Sequence, residues 1–312
     1  MSDCFEVVAL ALEPRERLDR FADHYLRHGA TRVSLYYDED VDFVFTDPRI
    51  AFHKCDAEFW RRLGYERPFS VEARQRAIYN YAYASSKAHW CLIVDLDEYI
   101  FGPVSLQNFF GGLAEDLDSV RFVPAEMVFG PEDQIDKPFG ATSYRLPVGK
   151  YLAPALSRLL YGKLAPLFSR GLLGHSRGKQ ALRTGKKQLK IDIHDAQLGG
   201  KRIGSFAESR TAGLLLGHYD AIDLAHWTMK CEGRLRRGDA KEMGAKREMQ
   251  LHLFGKCSGE RARRALFKQI YGLEGWKLRL LSRIGLVGTI TDDLLDQSVG
   301  NFESERCYAN SA

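Results

Sequence analysis

Several things are missing from this chain, and each absence narrows what it can be. No apolar run approaches the roughly 20 residues that a membrane-spanning helix needs, so any work at a membrane is expected to be peripheral. The N-terminus has no basic region followed by a long apolar core, and so no sign of a secretory leader. The six cysteines (Cys4, Cys55, Cys91, Cys231, Cys257 and Cys307) never fall at C-x-x-C spacing. We read all six as reduced and expect a cytoplasmic protein, at the inner face of the membrane if it meets one. Internal repeats and low-complexity tracts are absent, which argues against a repeat architecture. Leu10–Arg20 contains neither glycine nor lysine, whereas nucleotidyltransferases and phosphohydrolases commonly carry a glycine- and lysine-rich phosphate loop early in the chain. Acids are absent from Arg145 to Lys190, a stretch holding eleven lysines and arginines.

What is present fits an ordinary globular domain. The chain has 312 residues, 45% hydrophobic and 28% charged, with a net charge of +4, too small to imply nucleic acid. The charge is uneven. Besides Arg145–Lys190, a second basic block runs from Arg234 to Arg264. Such blocks suit a phosphate-bearing ligand or an anionic membrane surface, and equally a solvated basic face.

The most informative segment is Trp90-Cys91-Leu92-Ile93-Val94-Asp95-Leu96-Asp97-Glu98-Tyr99-Ile100. An apolar, β-branched run reads as a buried strand, and it ends in three acids within four positions. Alternation along a strand puts Asp95 and Asp97 on one face. Two carboxylates held together favour a hard divalent cation between them, Mg²⁺ or Mn²⁺, shared with substrate phosphates. A bare D-x-D also begins many turns, so the surrounding elements carry the argument.

Phe5–Leu12 reads as a first strand, followed by a helix that starts at Pro14 and stops at Gly29. Val33–Tyr37 reads as a second strand ending in Asp38, with Phe43–Phe45 and Ile50–His53 as short strand candidates. Ser70–Lys87 reads as a helix capped by Ser70, with Val71, Arg74, Ile78, Tyr81 and Ser85 on one face. Strand, helix, strand, helix, strand is the grammar of a parallel sheet with crossover helices. Later come a short helix at Val104–Phe110, strand-like Ser119–Val123 and Glu126–Phe129, and a loop-rich stretch over 131–175. Gln188–His194 reads as a strand, Ala221–Arg237 as a helix, and Glu260–Ile284 as one or two more helices.

Taken in order, Tyr25-Leu26-Arg27-His28-Gly29, Arg74-Gln75, Trp90 with Asp95-Leu96-Asp97-Glu98-Tyr99, then His194, His218-Tyr219 and Lys230 with Gly238 resemble bacterial glycosyltransferases of the family 2-like group, related to family 92. The resemblance covers about residues 5–240. It implies a GT-A (Rossmann-like) α/β sheet that binds a nucleotide-sugar, with residues 1–240 as the catalytic domain and 241–312 as a helical extension packed on it. In such an enzyme Asp95 lies near the donor ribose or metal and Asp97 binds the metal. Asp38 falls near the uracil or ribose, and Arg74 and Gln75 sit beside the nucleotide. Mn²⁺ or Mg²⁺ holds the diphosphate, with His194 or His218 completing its coordination. The group often has an Asn-Glu pair after the first strand. Here Glu13 takes the Glu position and the Asn is missing.

The remaining candidates have two readings each. Glu126 lies in an apolar segment and is expected as the base that deprotonates an acceptor hydroxyl, with Asp220 and Asp195 as rivals; the alternative is a salt bridge to an arginine. Lys179 and Lys230 are expected on the donor diphosphate, or else as ordinary surface and helix-end cations. The expected partners are a nucleotide-sugar, UDP-linked first, and a glycan or glycolipid acceptor, with no nucleic acid and with oligomeric state open. A non-catalytic scaffold or glycan binder, and a metal-dependent nucleotidyltransferase, are the competing functions.

Overall fold

A computed structural model describes residues 4–64, 66–238 and 244–290. Cys307 and residues 241–243 and 291–312 of the expected extension lie outside them. The chain is an α/β protein built on a mixed sheet. β1 (Phe5–Ala11) is buried almost throughout, as an uninterrupted apolar run requires of a strand covered on both faces. Pro14 precedes α1 (Arg15–Arg27), whose Leu18, Phe21, Ala22 and Tyr25 form the buried stripe. There follow β2 (Arg32–Tyr37), β3 (Ile50–Lys54), α2 (Ala57–Arg62), α3 (Val71–Ser85) and β4 (Trp90–Ile93). β1 pairs in parallel with β2 and β4, and β2 with β3, so the first ninety residues follow the expected parallel grammar.

The rest departs from it. The chain continues through β5 (Glu98–Phe101), α4 (Leu106–Gly111), β6 (Ser119–Val128), β7 (Ser143–Arg145), α5 (Ala153–Tyr161), β8 (Lys179–Arg183), β9 (Leu189–Ile191), β10 (Ala196–Leu198), β11 (Lys201–Ile203), α6 (Ala207–Thr211) and β12 (Leu215–His218). It ends with α7 (Leu224–Arg237), α8 (Ala245–Gly255), α9 (Glu260–Tyr271), α10 (Gly275–Arg283) and β13 (Val287–Thr289). The sheet order is β13-β7-β6-β8-β4-β1-β2-β3, with β12 joining β5 and β6. β8 is antiparallel to both β4 and β6, so the all-parallel expectation fails beyond β4. A small separate sheet is formed by β9, β10 and β11.

Other local expectations are corrected for identifiable reasons. Phe43–Phe45 is no strand; Phe43 instead packs edge-on against Tyr37 and Phe52, ring centroids 5.1 and 5.6 Å away. Residues 119–128 form one strand despite Pro124. β8 pairs with Ser119–Phe122 and β7 with Glu126–Val128, so Pro124 falls in the gap between them and its missing N–H costs no pairing on that side. On α3, Arg74, Ile78, Tyr79 and Ala82 are buried, and Val71 and Tyr81 face out. α8 was not foreseen from the sequence.

Alternation along β1 and β4 divides the core. Phe5, Val7, Ala9, Trp90 and Leu92 face one side with α1 and α4; Val8, Cys91 and Ile93 face the other with α2 and α3. The C-terminal helices share the first of these cores. Trp227 of α7 meets Phe254 and Phe267 at 5.1 and 5.4 Å, and Leu273 N–H donates to the Phe129 carbonyl at 2.8 Å. Among the described residues no helix is long and apolar enough to cross a membrane.

Candidate active site

The parallel strands β1, β2 and β4 bring their C-terminal ends to one edge, the edge where open α/β sheets take ligands. β4 stops at Ile93, and Asp95 to Asp97 form the turn into β5. That turn closes on itself. Glu98 N–H donates to the Asp95 carbonyl at 3.0 Å, and Asp95 N–H donates to Glu98 Oε2 at 2.8 Å. The turn, not strand alternation, sets the direction of the two aspartates, and they meet different partners.

Asp95 has three side-chain partners. Its Oδ1 accepts from Gln75 Nε2 and Tyr79 OH, both at 3.1 Å, and its Oδ2 meets Lys179 Nζ at 2.8 Å. Lys179 leaves β8 only 1% exposed, with Glu98 Oε2 at 3.9 Å on its other side. Burial pushes the Asp95 carboxyl up, but the Lys179 ammonium outweighs it and holds the group well below the usual carboxylate range. Burial likewise pulls Lys179 down, and Asp95 and Glu98 more than restore its charge.

Consecutive residues of α3 tie two strand ends together. Gln75 reaches Asp95, while Arg74 Nε meets Asp38 at the end of β2 at 2.7 Å. Arg67 adds a second contact to Asp38 at 3.1 Å. Ser70 supports this corner by capping α3 with a bond from Ala73 N–H.

Asp97 faces a second group. Its Oδ2 accepts from Lys230 Nζ on α7 at 3.0 Å, and its Oδ1 lies 3.9 Å from His218 Nε2 at the end of β12. Tyr219 N–H donates to the Asp97 carbonyl at 2.8 Å. Lys230 also donates to the Asp220 carbonyl at 3.0 Å. Burial raises the Asp97 carboxyl, and Lys230 and then His218 outweigh it downward. Burial lowers His218, and Asp97 and Glu98 outweigh that upward.

Strand register builds a charge row beside this group. Glu98, His218, Glu126 and Arg145 lie opposite one another across β5, β12, β6 and β7. Glu126 accepts from Arg145 Nε at 2.6 Å and from the N–H groups of Leu173 and Gly174, at 2.9 and 2.8 Å to Oε1. These are the partners that the salt-bridge reading expects. Asp220 is similarly taken, by Arg247 at 3.2 Å and by the Tyr271 hydroxyl. Burial raises its carboxyl, but Arg247 and Lys230 hold it well below its ordinary value. Asp195 is ringed by Arg121, Arg177 and Arg202 at 2.8, 2.7 and 3.4 Å.

His194 packs on a histidine that sequence reasoning passed over, His175, with ring centroids 3.8 Å apart. Burial first, then His175 and Lys179, drive His194 down to about 2. His175 Nε2 lies 3.7 Å from Glu98 Oε1, a fully buried oxygen with no hydrogen-bond partner among the described residues. His175 and Tyr79 are among the residues of the site that the sequence did not flag, as are Arg67, Arg247 and Tyr271. His175 lies in an aperiodic, acid-free loop, and Tyr79 sits among aromatics at helical spacing.

The donor set fits a cation in part. A divalent ion sits about 2.1 Å from each ligand, so two protein atoms 3.9 Å apart, Asp97 Oδ1 and His218 Nε2, can flank one. Asp95 Oδ1 already has two donors and Oδ2 has one, Lys179, with the side chain 29% exposed. Among the described residues no group of three or more His, Cys, Asp or Glu side chains is arranged to hold a metal ion.

No family model and no curated protein matches the chain. Solved structures with partial likeness include a mycobacterial protein (14% identity, 58% of this chain and 53% of that one, TM-score 0.28). Two others are the mannosyltransferase Ktr4p from S. cerevisiae (10%, 44% and 41%, 0.25) and GalNAc-T7 solved with UDP, GalNAc and Mn²⁺ (11%, 91% and 56%, 0.35). The likeness thus spans 58%, 44% and 91% of this chain, and between 41% and 56% of the length of those three proteins. TM-scores this low carry no argument about what the chain binds or does. The α/β architecture rests on the strand order described above.

Proposed function

We propose that this protein is a glycosyltransferase of GT-A type, moving a sugar from a nucleotide-sugar, UDP-linked first, to a glycan or glycolipid acceptor with inversion. One observation carries the reading. Two acid-bearing strand ends, Asp38 and Asp95, are joined through Arg74 and Gln75, and Asp97, Lys230 and His218 converge beside them.

In this reading the Asp38–Arg74 corner takes the nucleoside, and the partly exposed Lys230 meets the diphosphate. Asp97 and His218 would be the protein ligands of a Mn²⁺ or Mg²⁺ ion that shares the diphosphate oxygens. Such an ion would supply Lewis-acid stabilisation of the departing nucleoside diphosphate. Lys179 is too buried to reach a substrate. It neutralises Asp95 and Glu98 and so fixes the turn.

Inverting transfer needs a group to take the acceptor proton. With Glu126 and Asp220 paired to arginines, His175 is the best candidate. It is part-exposed, with Nε2 3.7 Å from the buried Glu98 carboxylate and Nδ1 buried without a hydrogen-bond partner among the described residues, so its ring must turn for a nitrogen to reach an acceptor hydroxyl. Glu126 then holds the Leu173-Gly174 backbone that carries His175.

A second reading, a binding protein without catalysis, is favoured by the ammonium partner that each aspartate already has. Release of nucleoside diphosphate from a panel of nucleotide-sugars, with Mn²⁺, Mg²⁺ or EDTA, separates the two. The transferase reading expects metal-dependent release that is abolished in Asp97→Asn. His175→Asn should lose about 10²–10⁴-fold in kcat at unchanged donor KM. Binding without turnover, for every donor and acceptor mixture tried, would favour the second reading.

A further inference from the structure

The acid-free stretch divides into two populations. Arg145, Arg177, Lys179 and Lys186 pair with Glu126, Asp195, Asp95 and Asp118, Arg145 and Lys179 being buried. Lys150, Arg158 and Lys163 have no carboxylate partner among the described residues and stand exposed around α5. With Arg170 and Lys246 they line an open groove of about 1100 Å³ that has no acidic side chain in its wall. Lys246 reaches in from α8 to the Phe168 carbonyl at 2.9 Å.

The turn into α5 and the helix itself also expose large apolar side chains. Tyr151 is 93%, Leu152 69% and Leu159 61% exposed. Leu152, Ala155 and Leu159 recur at helical spacing, with Tyr151 and Arg158 on the adjoining stripe. Beneath them Ala153, Ser157, Leu160 and Tyr161 are buried, so α5 is anchored by one face and presents the other. Exposed apolar side chains beside unpaired cations form a surface that water alone does not explain.

We propose that this face docks on an anionic phospholipid bilayer. Tyr151, Leu152 and Leu159 enter the headgroup region, and Lys150, Arg158 and Lys163 meet the lipid phosphates. A soluble anion would account for the cations but not for a tyrosine and two leucines directed outward. A bilayer accounts for both, since interfacial surfaces combine cations for the lipid phosphates with aromatic and leucine side chains that enter the headgroup region. The surface is independent of the transferase reading. Should that reading hold, the docking face and the site would be joined by a short segment, because Arg170 at the groove is five residues before His175.

The test is co-sedimentation of the full chain with phosphatidylcholine vesicles and with vesicles carrying 30% phosphatidylglycerol. Binding to the anionic vesicles only is expected, weakening as salt is raised. Removal of one cation near an anionic surface lowers partition about fivefold, so Lys150→Glu/Arg158→Glu should lower it by about 25-fold or more. Tyr151→Ser/Leu152→Ser should lower it about tenfold. Lys187→Glu/Lys190→Glu, exposed cations elsewhere in the stretch, should leave it near wild type. All these residues are exposed, and unchanged thermal melting of each variant verifies its fold. No binding to anionic vesicles would overturn the proposal. So would equal loss in the Lys187/Lys190 variant, binding indifferent to Tyr151 and Leu152, or full displacement by millimolar glycerol phosphate, which would mark a soluble-anion site.

Discussion

Lys179 carries the charge balance of the D-x-D-E turn. Its ammonium is buried between Asp95 and Glu98, and removing one partner of a buried ion pair leaves the other uncompensated. Lys179→Met should therefore lower unfolding free energy by about 3 kcal/mol, read as a lower urea midpoint at unchanged slope. A change of under about 0.5 kcal/mol, the ordinary effect of a surface substitution, would mean that Lys179 is not the counter-ion described. How far such a residue can be read from sequence depends on what it partners. Asp95, Asp97 and Glu98 are legible because an apolar run stops at them. Gln75 and Arg74 entered only through the family resemblance. The pairing of Lys179 with Asp95 spans 84 positions and follows from β8 lying antiparallel to β4, which no local pattern announces. Glu126 shows the reverse error. An acid in an apolar segment signals a specific partner, but not whether that partner is a substrate or Arg145, which the β6–β7 register supplies.

At the level of elements, α1, α3, α4, α7, α9, α10 and the first strands were legible, whereas α2, α6, α8, the α5 helix inside the stretch read as loop-rich, and the sheet's second half were not. α1 and α3 announce themselves by stripe and cap, and β1, β2 and β4 by buried runs. The direction of β8 and the division of 119–128 between two partners depend on distant pairings. Two elements carry predictions. His28, which closes α1, is buried, and neither ring nitrogen has a hydrogen-bond partner among the described residues. Burial, reinforced by Arg27, lowers its pKa to about 4. The folded value lies below the unfolded one of about 6.5. The stability tied to neutral His28 is thus complete above pH 6.5 and is lost progressively as pH falls to about 4, by about 3 kcal/mol at the low end. Urea unfolding at pH 7 and pH 5 should show a smaller difference in His28→Leu than in wild type; an equal difference would contradict the burial argument. The loop before β8 is equally constrained. A Cβ on Gly174 would lie 2.9 Å from His218 Cε1, so Gly174→Ala should shift the His218 ring. Its loss should appear as weakened metal-dependent nucleotide binding with little change in melting of the ligand-free protein. Wild-type binding in that variant would separate His218 from the ligand site.

Over the whole molecule, a net charge of +4 conceals a stretch of eleven cations without an acid. Folding pairs part of that charge with the acids of the candidate site and its supports and places Lys150, Arg158, Lys163 and Arg170 around one outer groove, with Lys187 and Lys190 exposed elsewhere. Sequence composition reveals the excess but not its division, because the division is decided by which acids β6, β4 and the loops bring within reach. The aspartates, the helix-borne Arg74 and Gln75, and the α7 lysine come from segments up to 192 positions apart, from Asp38 to Lys230, and meet only because β1, β2 and β4 end at one edge. The measurement that bears most directly on this convergence is thermal melting of the purified chain with UDP, GDP and CDP, each with Mn²⁺, Mg²⁺ or EDTA, alongside Asp97→Asn. A nucleotide present at 100 times its dissociation constant stabilises the folded state by about 2.7 kcal/mol, a shift of several degrees. We expect that shift with one nucleotide, only with metal, and not in Asp97→Asn. A well-folded protein whose melting responds to no nucleotide, with or without metal, would contradict the assignment of this sheet edge as a nucleotide-sugar site.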